Sequence, residues 1–132
     1  MTDFSERLEM YLEAEMIQPK DVEDINIILD MFKEVYGVEL FEENADTFVA
    51  HLCAAYGRSA TGEDVEPLGD FVLGEIKAQP SYDRSVEILH RLMEVTDRPL
   101  IETEQDYLLL HINNLIAKLT ESGEWKMDHF EF

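Results

Sequence analysis

The chain has 132 residues, of which 30 are Asp or Glu and only 10 are Lys or Arg, giving a formal net charge of -20. With no Lys/Arg cluster, it lacks the counterion-releasing contacts that direct DNA or RNA binding needs, and it is repelled by anionic membranes, so a partner with a basic patch is the better fit. Hydrophobic residues at 45% exclude disorder, the length fits one domain, and the one cysteine, Cys53, excludes an internal disulfide and suits a reducing compartment.

The amino terminus, "MTDFSERLEMYLEAEM", is acidic and amphipathic, which is not the pattern of a signal peptide. No apolar run reaches the length of a membrane span, so the expected location is cytoplasmic. Apolar spacing of three and four dominates, and strict alternation is hard to find, which predicts an all-α fold.

The first helix is predicted from about Ser5 to Ile17, with Leu8, Tyr11 or Leu12 and Met16 on one face. Pro19 suits the first turn of a second helix, in which Val22, Ile25, Leu29, Phe32 and Tyr36 form the apolar stripe until Gly37 ends it. After "VELFEEN", a third helix from about Ala45 to Ser59 buries Phe48, Leu52, Ala55 and Tyr56, and Cys53 in the same run reads as core. The Gly/Ser/Thr content of "SATGEDVEP" marks a loop.

A fourth helix, around Leu68 to Ala78, uses Phe71, Val72 and Ile76. A fifth, around Tyr82 to Val95, uses Val86, Leu89 and Met93. The sixth begins near "IETEQDY", where Thr103 is placed to cap it, and continues to Thr120 before Gly123. Trp125 and Phe130 are the residues by which the tail "EWKMDHFEF" would dock if it does not fray. Internal repeats and linkers are absent.

No phosphate-cradling glycine loop, GxSxG, HExxH or paired metal-ligand motif appears, so nothing in the motifs argues for an enzyme, a metal or another cofactor. What remains are the histidines, at 51, 90, 111 and 129. His51 and Arg58 are seven residues apart, two turns along one helix face, with Ala55 between them; Glu104 and His111 repeat that spacing in the last helix. On spacing alone, each histidine reads best as a packed, hydrogen-bonded residue. His90 at a helix boundary and His129 in the tail carry no expected function.

The order of the segments adds something that the spacing does not. "HLCAAYGR", then "EPLGDFVLGEIKAQPSYDRSVEI", then "ETEQDYLLLHI" resembles the PTS regulation domain, or PRD, over roughly residues 20 to 121. The resemblance implies a compact bundle of five helices, residues 19–122, preceded by a helical extension over 1–18 and followed by a tail over 123–132. It implies two histidine segments on different helices whose ends approach one another. His51 and His111 match the family's phosphorylated histidines.

It further implies regulation in place of catalysis: a phosphoryl group taken on histidine from the phosphocarrier protein HPr or a sugar-specific enzyme II component changes dimerisation or an effector. A homodimer and a separate regulator chain in transcriptional control are therefore the expected partners. Arg58 is suited to pair with the phosphoryl group, and Glu104 to orient an imidazole by accepting its other N–H. Two features depart from the family. Ala50 stands where members often carry an acidic residue before the first histidine, and this chain reads as a single domain where PRDs usually occur in pairs behind an effector. A helical adaptor or sensor that keeps the scaffold without phosphorylation is the alternative; a metal site or hydrolase built on His51 and His111 is a third reading.

Overall fold

Residues 1–125 are described by a computed structural model. Its regular structure is six helices: α1 (Ser5–Glu13), α2 (Pro19–Tyr36), α3 (Glu42–Thr61), α4 (Asp70–Lys77), α5 (Tyr82–Thr96) and α6 (Glu102–Glu121). Among the described residues there is no strand, as the apolar periodicity predicts. The chain forms two compact units, Met1–Glu63 and Asp64–Phe132. His129 and Phe130 lie outside the described residues.

In the first unit, α1 ends four residues before the predicted Ile17. Glu15 adopts a left-handed φ of 60°, and the Met16 N–H closes the turn on the Tyr11 carbonyl at 3.0 Å. A left-handed residue cannot continue a right-handed helix, so the chain swings there. The swing buries Ile17 and leaves Met16, a predicted core residue, exposed.

Helix α2 starts at Pro19, as predicted, and the Gln18 N–H donates to Asp21 Oδ2 at 2.9 Å. Gly37, at φ 68°, ends it, a conformation that side chains other than glycine disfavour. Ile25, Phe32 and Tyr36 are buried as predicted, joined by Ile28 and Met31, while Val22 and Leu29 are half-buried. Phe32 meets the edge of Phe48 from α3, with ring centroids 5.6 Å apart, so the aromatic pair fastens α2 to α3. Asp24 is fully buried and accepts from Lys20 Nζ at 3.0 Å.

Helix α3 is entered through Asn44, whose Oδ1 accepts the Phe41 N–H at 2.7 Å and whose Nδ2 donates to the Glu39 carbonyl at 3.2 Å. Phe48, Leu52, Ala55 and Tyr56 are buried as predicted. The amino-terminal segment is fastened to this helix. The Thr2 N–H and hydroxyl both donate to the Glu43 carboxylate at 2.8 Å. Arg7 pairs with Glu42 at 2.9 Å and with Asp46, and the Met16 carbonyl lies against Gly57. Phe4 and Leu8 are buried, so the apolar side of α1 is used within its own unit.

Cys53 is buried, and burial, followed by the nearby Asp21 carboxylate and opposed by Arg7, pushes its thiol up to about 12. Since the thiolate is the reactive form, the native protein at pH 8 is expected not to react with a thiol-specific disulfide reagent. One equivalent should react once urea unfolds the chain. Reaction in native buffer at the rate of a free thiol would contradict this placement.

In the second unit, α5 and α6 form the main packing pair. Ile88, Leu89 and Leu92 of α5 are buried, as are Leu108, Ile112, Leu115, Ile116 and Leu119 of α6. The predicted Val86 and Met93 are half-buried. Thr103 does not cap α6: Ile101 occupies the cap position, and Gln105 Nε2 donates back to the Leu100 carbonyl at 2.6 Å. The short helix α4 buries only Ile76, and Phe71, predicted as core, is 78% exposed. Phe71, Val72, Leu73 and Ile76 spread over more than half of the helix circumference, and one face of an eight-residue helix cannot bury them all.

Asn113 joins all three helices of this unit. Its Oδ1 accepts from the Ser81 hydroxyl at 2.9 Å and from the Ser85 hydroxyl, and its Nδ2 donates to the Ile76 carbonyl at 3.3 Å. Trp125 is buried, its backbone N–H donating to the Leu119 carbonyl at 3.0 Å. Among the described residues, no helix is long and apolar enough to cross a membrane.

Candidate functional site

His51 lies on α3 between buried neighbours Val49, Leu52 and Cys53. Helical geometry sends residue 51 away from that stripe, and the side chain is exposed. Its ring is nevertheless partly withdrawn from water. That desolvation, followed by the positive charge of Arg58, holds the imidazole below its ordinary 6.5. Both causes penalise the protonated form, so the ring is neutral at physiological pH.

Arg58 stands two turns further along α3, a rise of about 10 Å, and is half-buried. It lies in the last turn, where the helix macrodipole favours a cation. The helix end around it is closed by the Glu63 N–H and the Thr61 hydroxyl, which donate to the Arg58 carbonyl at 3.0 and 3.2 Å. Gly57, directly before it, is where the Met16 carbonyl approaches the helix.

The sign of the His51 shift sets a test. Above pH 6.5 the ring is neutral in folded and unfolded chains alike. As the pH falls below this value the unfolded chain takes the proton first, so the folded state loses stability until the lowered native pKa is passed. In an NMR titration, Arg58→Gln is expected to move the His51 pKa upward, and only part of the way to 6.5, because burial is the larger cause. An unchanged midpoint would contradict the electrostatic link between the two residues.

The second candidate pair lies on α6 in the other unit. Glu104 is 1% exposed in the first turn, where a carboxylate is favoured by the helix amino-terminal charge. His111 is half-buried two turns later. His90 is exposed on α5. Among the described residues no group of three or more His, Cys, Asp or Glu is placed to hold a metal ion.

Asn113 is the residue of this region that sequence reasoning missed. It lies two positions from His111 and fixes α6 against the starts and ends of its neighbours. The adjacent asparagines in a helix interior, "HINNLI", were the available signal, since such residues are unfavourable there unless bonded.

A protein-family model described as "PRD domain" matches residues 26–115, a span that contains His51, Arg58, Glu104 and His111. Comparison with curated proteins and with solved structures returns no significant match.

Proposed function

Because the chain belongs to the PRD domain family, we propose that it is a regulatory phosphoacceptor of the sugar phosphotransferase type, modified on His51 and His111. The observation that carries this reading is His51 itself. It is a solvent-accessible imidazole held neutral by its surroundings, with a guanidinium on the same helix, inside the span matched to the family.

In the proposed step the unprotonated ring nitrogen attacks phosphorus. A nitrogen–phosphorus bond forms as the donor's bond to phosphorus breaks, and the departing donor keeps that electron pair. The ring, then substituted at both nitrogens, releases its N–H proton to the donor or to water. The product carries new negative charge on a chain already at -20, and Arg58 offsets part of that repulsion. Glu104 accepts an imidazole N–H and thereby selects the tautomer.

The proposed output is a change in homodimerisation or in binding to a separate regulator chain, in the cytoplasm, in transcriptional control. The proposed donor is HPr or a sugar-specific enzyme II component. The role is regulatory, and no cofactor or metal takes part.

Incubation with phosphoenolpyruvate and the general phosphotransferase components, followed by intact-mass analysis, tests this. The mass of at least one phosphoryl group should be gained and then lost on acid treatment, since phosphoramidates are acid-labile. His51→Ala and His111→Ala should each reduce the gain. No gain, or a gain unaffected by both substitutions, would overturn the proposal. A second reading, a non-phosphorylated helical adaptor, is favoured by Ala50, half-buried directly before His51, where a tautomer-setting carboxylate is expected.

A further inference from the structure

We propose that the α4 surface of the second unit docks a basic amphipathic segment of a partner protein. Phe71 is 78% exposed, and it stands on the same short helix as the apolar lining of a groove, the combination of exposed apolar surface and polar rim that marks an interaction site. From Asp64 to Glu75 the chain contains four carboxylates, Asp64, Glu66, Asp70 and Glu75, all exposed, and no Lys or Arg.

This acidic frame is held in place. The Tyr107 hydroxyl on α6 donates to the Glu66 carbonyl at 2.7 Å, which ties the loop before α4 to α6. Beside it, the Asp106 carboxyl is raised by burial and by the adjacent Glu102 carboxylate, and only Lys77 opposes them. One turn after Phe71, Glu75 borders a groove that Val72 and Ile76 of α4 form with Leu110, Asn114 and Ala117 of α6. An exposed apolar anchor on a helix that borders a groove, within a segment that carries four exposed carboxylates and no cation, is the complement of a helix with an apolar stripe and lysine or arginine flanks.

Charge decides against the other occupants. A second copy of this chain would bring the same four carboxylates and another -20 to the contact. Nucleic acid and anionic lipid are repelled for the same reason. The docking test reads peptide binding and uses neither His51 nor His111, so the two proposals fail independently.

The full chain is to be titrated into a fluorescent amphipathic helix of leucine and lysine, followed by anisotropy at two salt concentrations. Phe71→Ala is expected to weaken binding by roughly tenfold. Asp64→Asn combined with Asp70→Asn is expected to weaken it and to flatten its salt dependence. Met10→Ala, which removes an exposed methionine of the first unit, should bind as the unaltered protein does. Because Phe71 is exposed, circular dichroism of Phe71→Ala should be unchanged.

Equal affinity for the unaltered chain and Phe71→Ala would mean diffuse attraction to net charge and would overturn the proposal. So would equally tight binding of a leucine–glutamate helix. Sedimentation showing that Phe71→Ala turns a dimer into a monomer would assign the face to a second copy, which also overturns it.

Discussion

Asn113→Ala is expected to lower the unfolding free energy by about 2–4 kcal/mol, because it strands several buried polar groups together. The amide of Asn113 accepts from Ser81 and Ser85 and donates to the Ile76 carbonyl, and Ser85 is fully buried. A net hydrogen bond contributes only about 1 kcal/mol, but a buried group left without its partner loses its solvation with no return. Ser85 retains one bond, to the Ser81 carbonyl at 2.9 Å, and the Ile76 carbonyl still accepts the Gln79 N–H at 3.2 Å, which keeps the effect below the cost of fully orphaning all three groups. Urea unfolding of the variant should show a lower midpoint at unchanged slope. A loss within about 0.5 kcal/mol, the range of ordinary surface substitutions, would contradict the three-helix junction.

The second large effect runs against helix propensity. Alanine is favoured over glycine in a helix interior by about 1 kcal/mol, so both Gly57→Ala and Gly74→Ala ought to stabilise on that ground alone. A Cβ at Gly74 meets nothing within 4 Å, whereas one at Gly57 falls onto the Met16 carbonyl oxygen. That oxygen is backbone and cannot rotate away. Gly57→Ala is therefore expected to destabilise by about 1–3 kcal/mol, the usual range for overpacking, while Gly74→Ala stabilises by up to about 1 kcal/mol. Thermal unfolding of the two variants side by side checks the opposite signs. Stabilisation by both would show that the turn at Met16 does not press on α3.

These two sites mark where the sequence is legible and where it is not. The all-helical fold follows from periodicity, and Pro19 and Gly37 bracket α2 as their backbone preferences require. The stripe of α3 was legible because Phe48, Leu52, Ala55 and Tyr56 offer one helical phase. Helix α2 was less so. Apolar residues at 25, 27, 28, 29, 31, 32, 35 and 36 allow several phases, and tertiary packing chose one that buries Ile28 and Met31 and leaves Val35 exposed.

Other features depend on distant parts of the chain and have no local signature. The burial of Asp24 next to Lys20 and the approach of Met16 to Gly57 are of this kind. Glu15 breaks α1 although glutamate is a good helix former. Phe71 shows the converse: an apolar residue at a plausible core position stays in water because α4 is too short to turn all its apolar residues inward.

The candidate site was legible as residue types and order. His51, Arg58, Glu104 and His111 were named from spacing and resemblance, and the family match spans all four. Their electrostatics were not legible. That His51 is exposed yet held neutral comes from its degree of desolvation and from Arg58; the near-complete burial of Glu104 has no local signature in the sequence.

Phosphoryl transfer to two particular histidines, His51 and His111, is the proposed chemistry. Mapping the modified positions after exposure to phosphoenolpyruvate and the phosphotransferase components tests it most directly, with digestion at alkaline pH to preserve phosphohistidine. The expected result is phosphoryl on the peptides that contain His51 and His111 and none on the peptide that contains His90. An unmodified chain, in a reaction that fully phosphorylates a known acceptor, would contradict the claim, and so would modification confined to other residues.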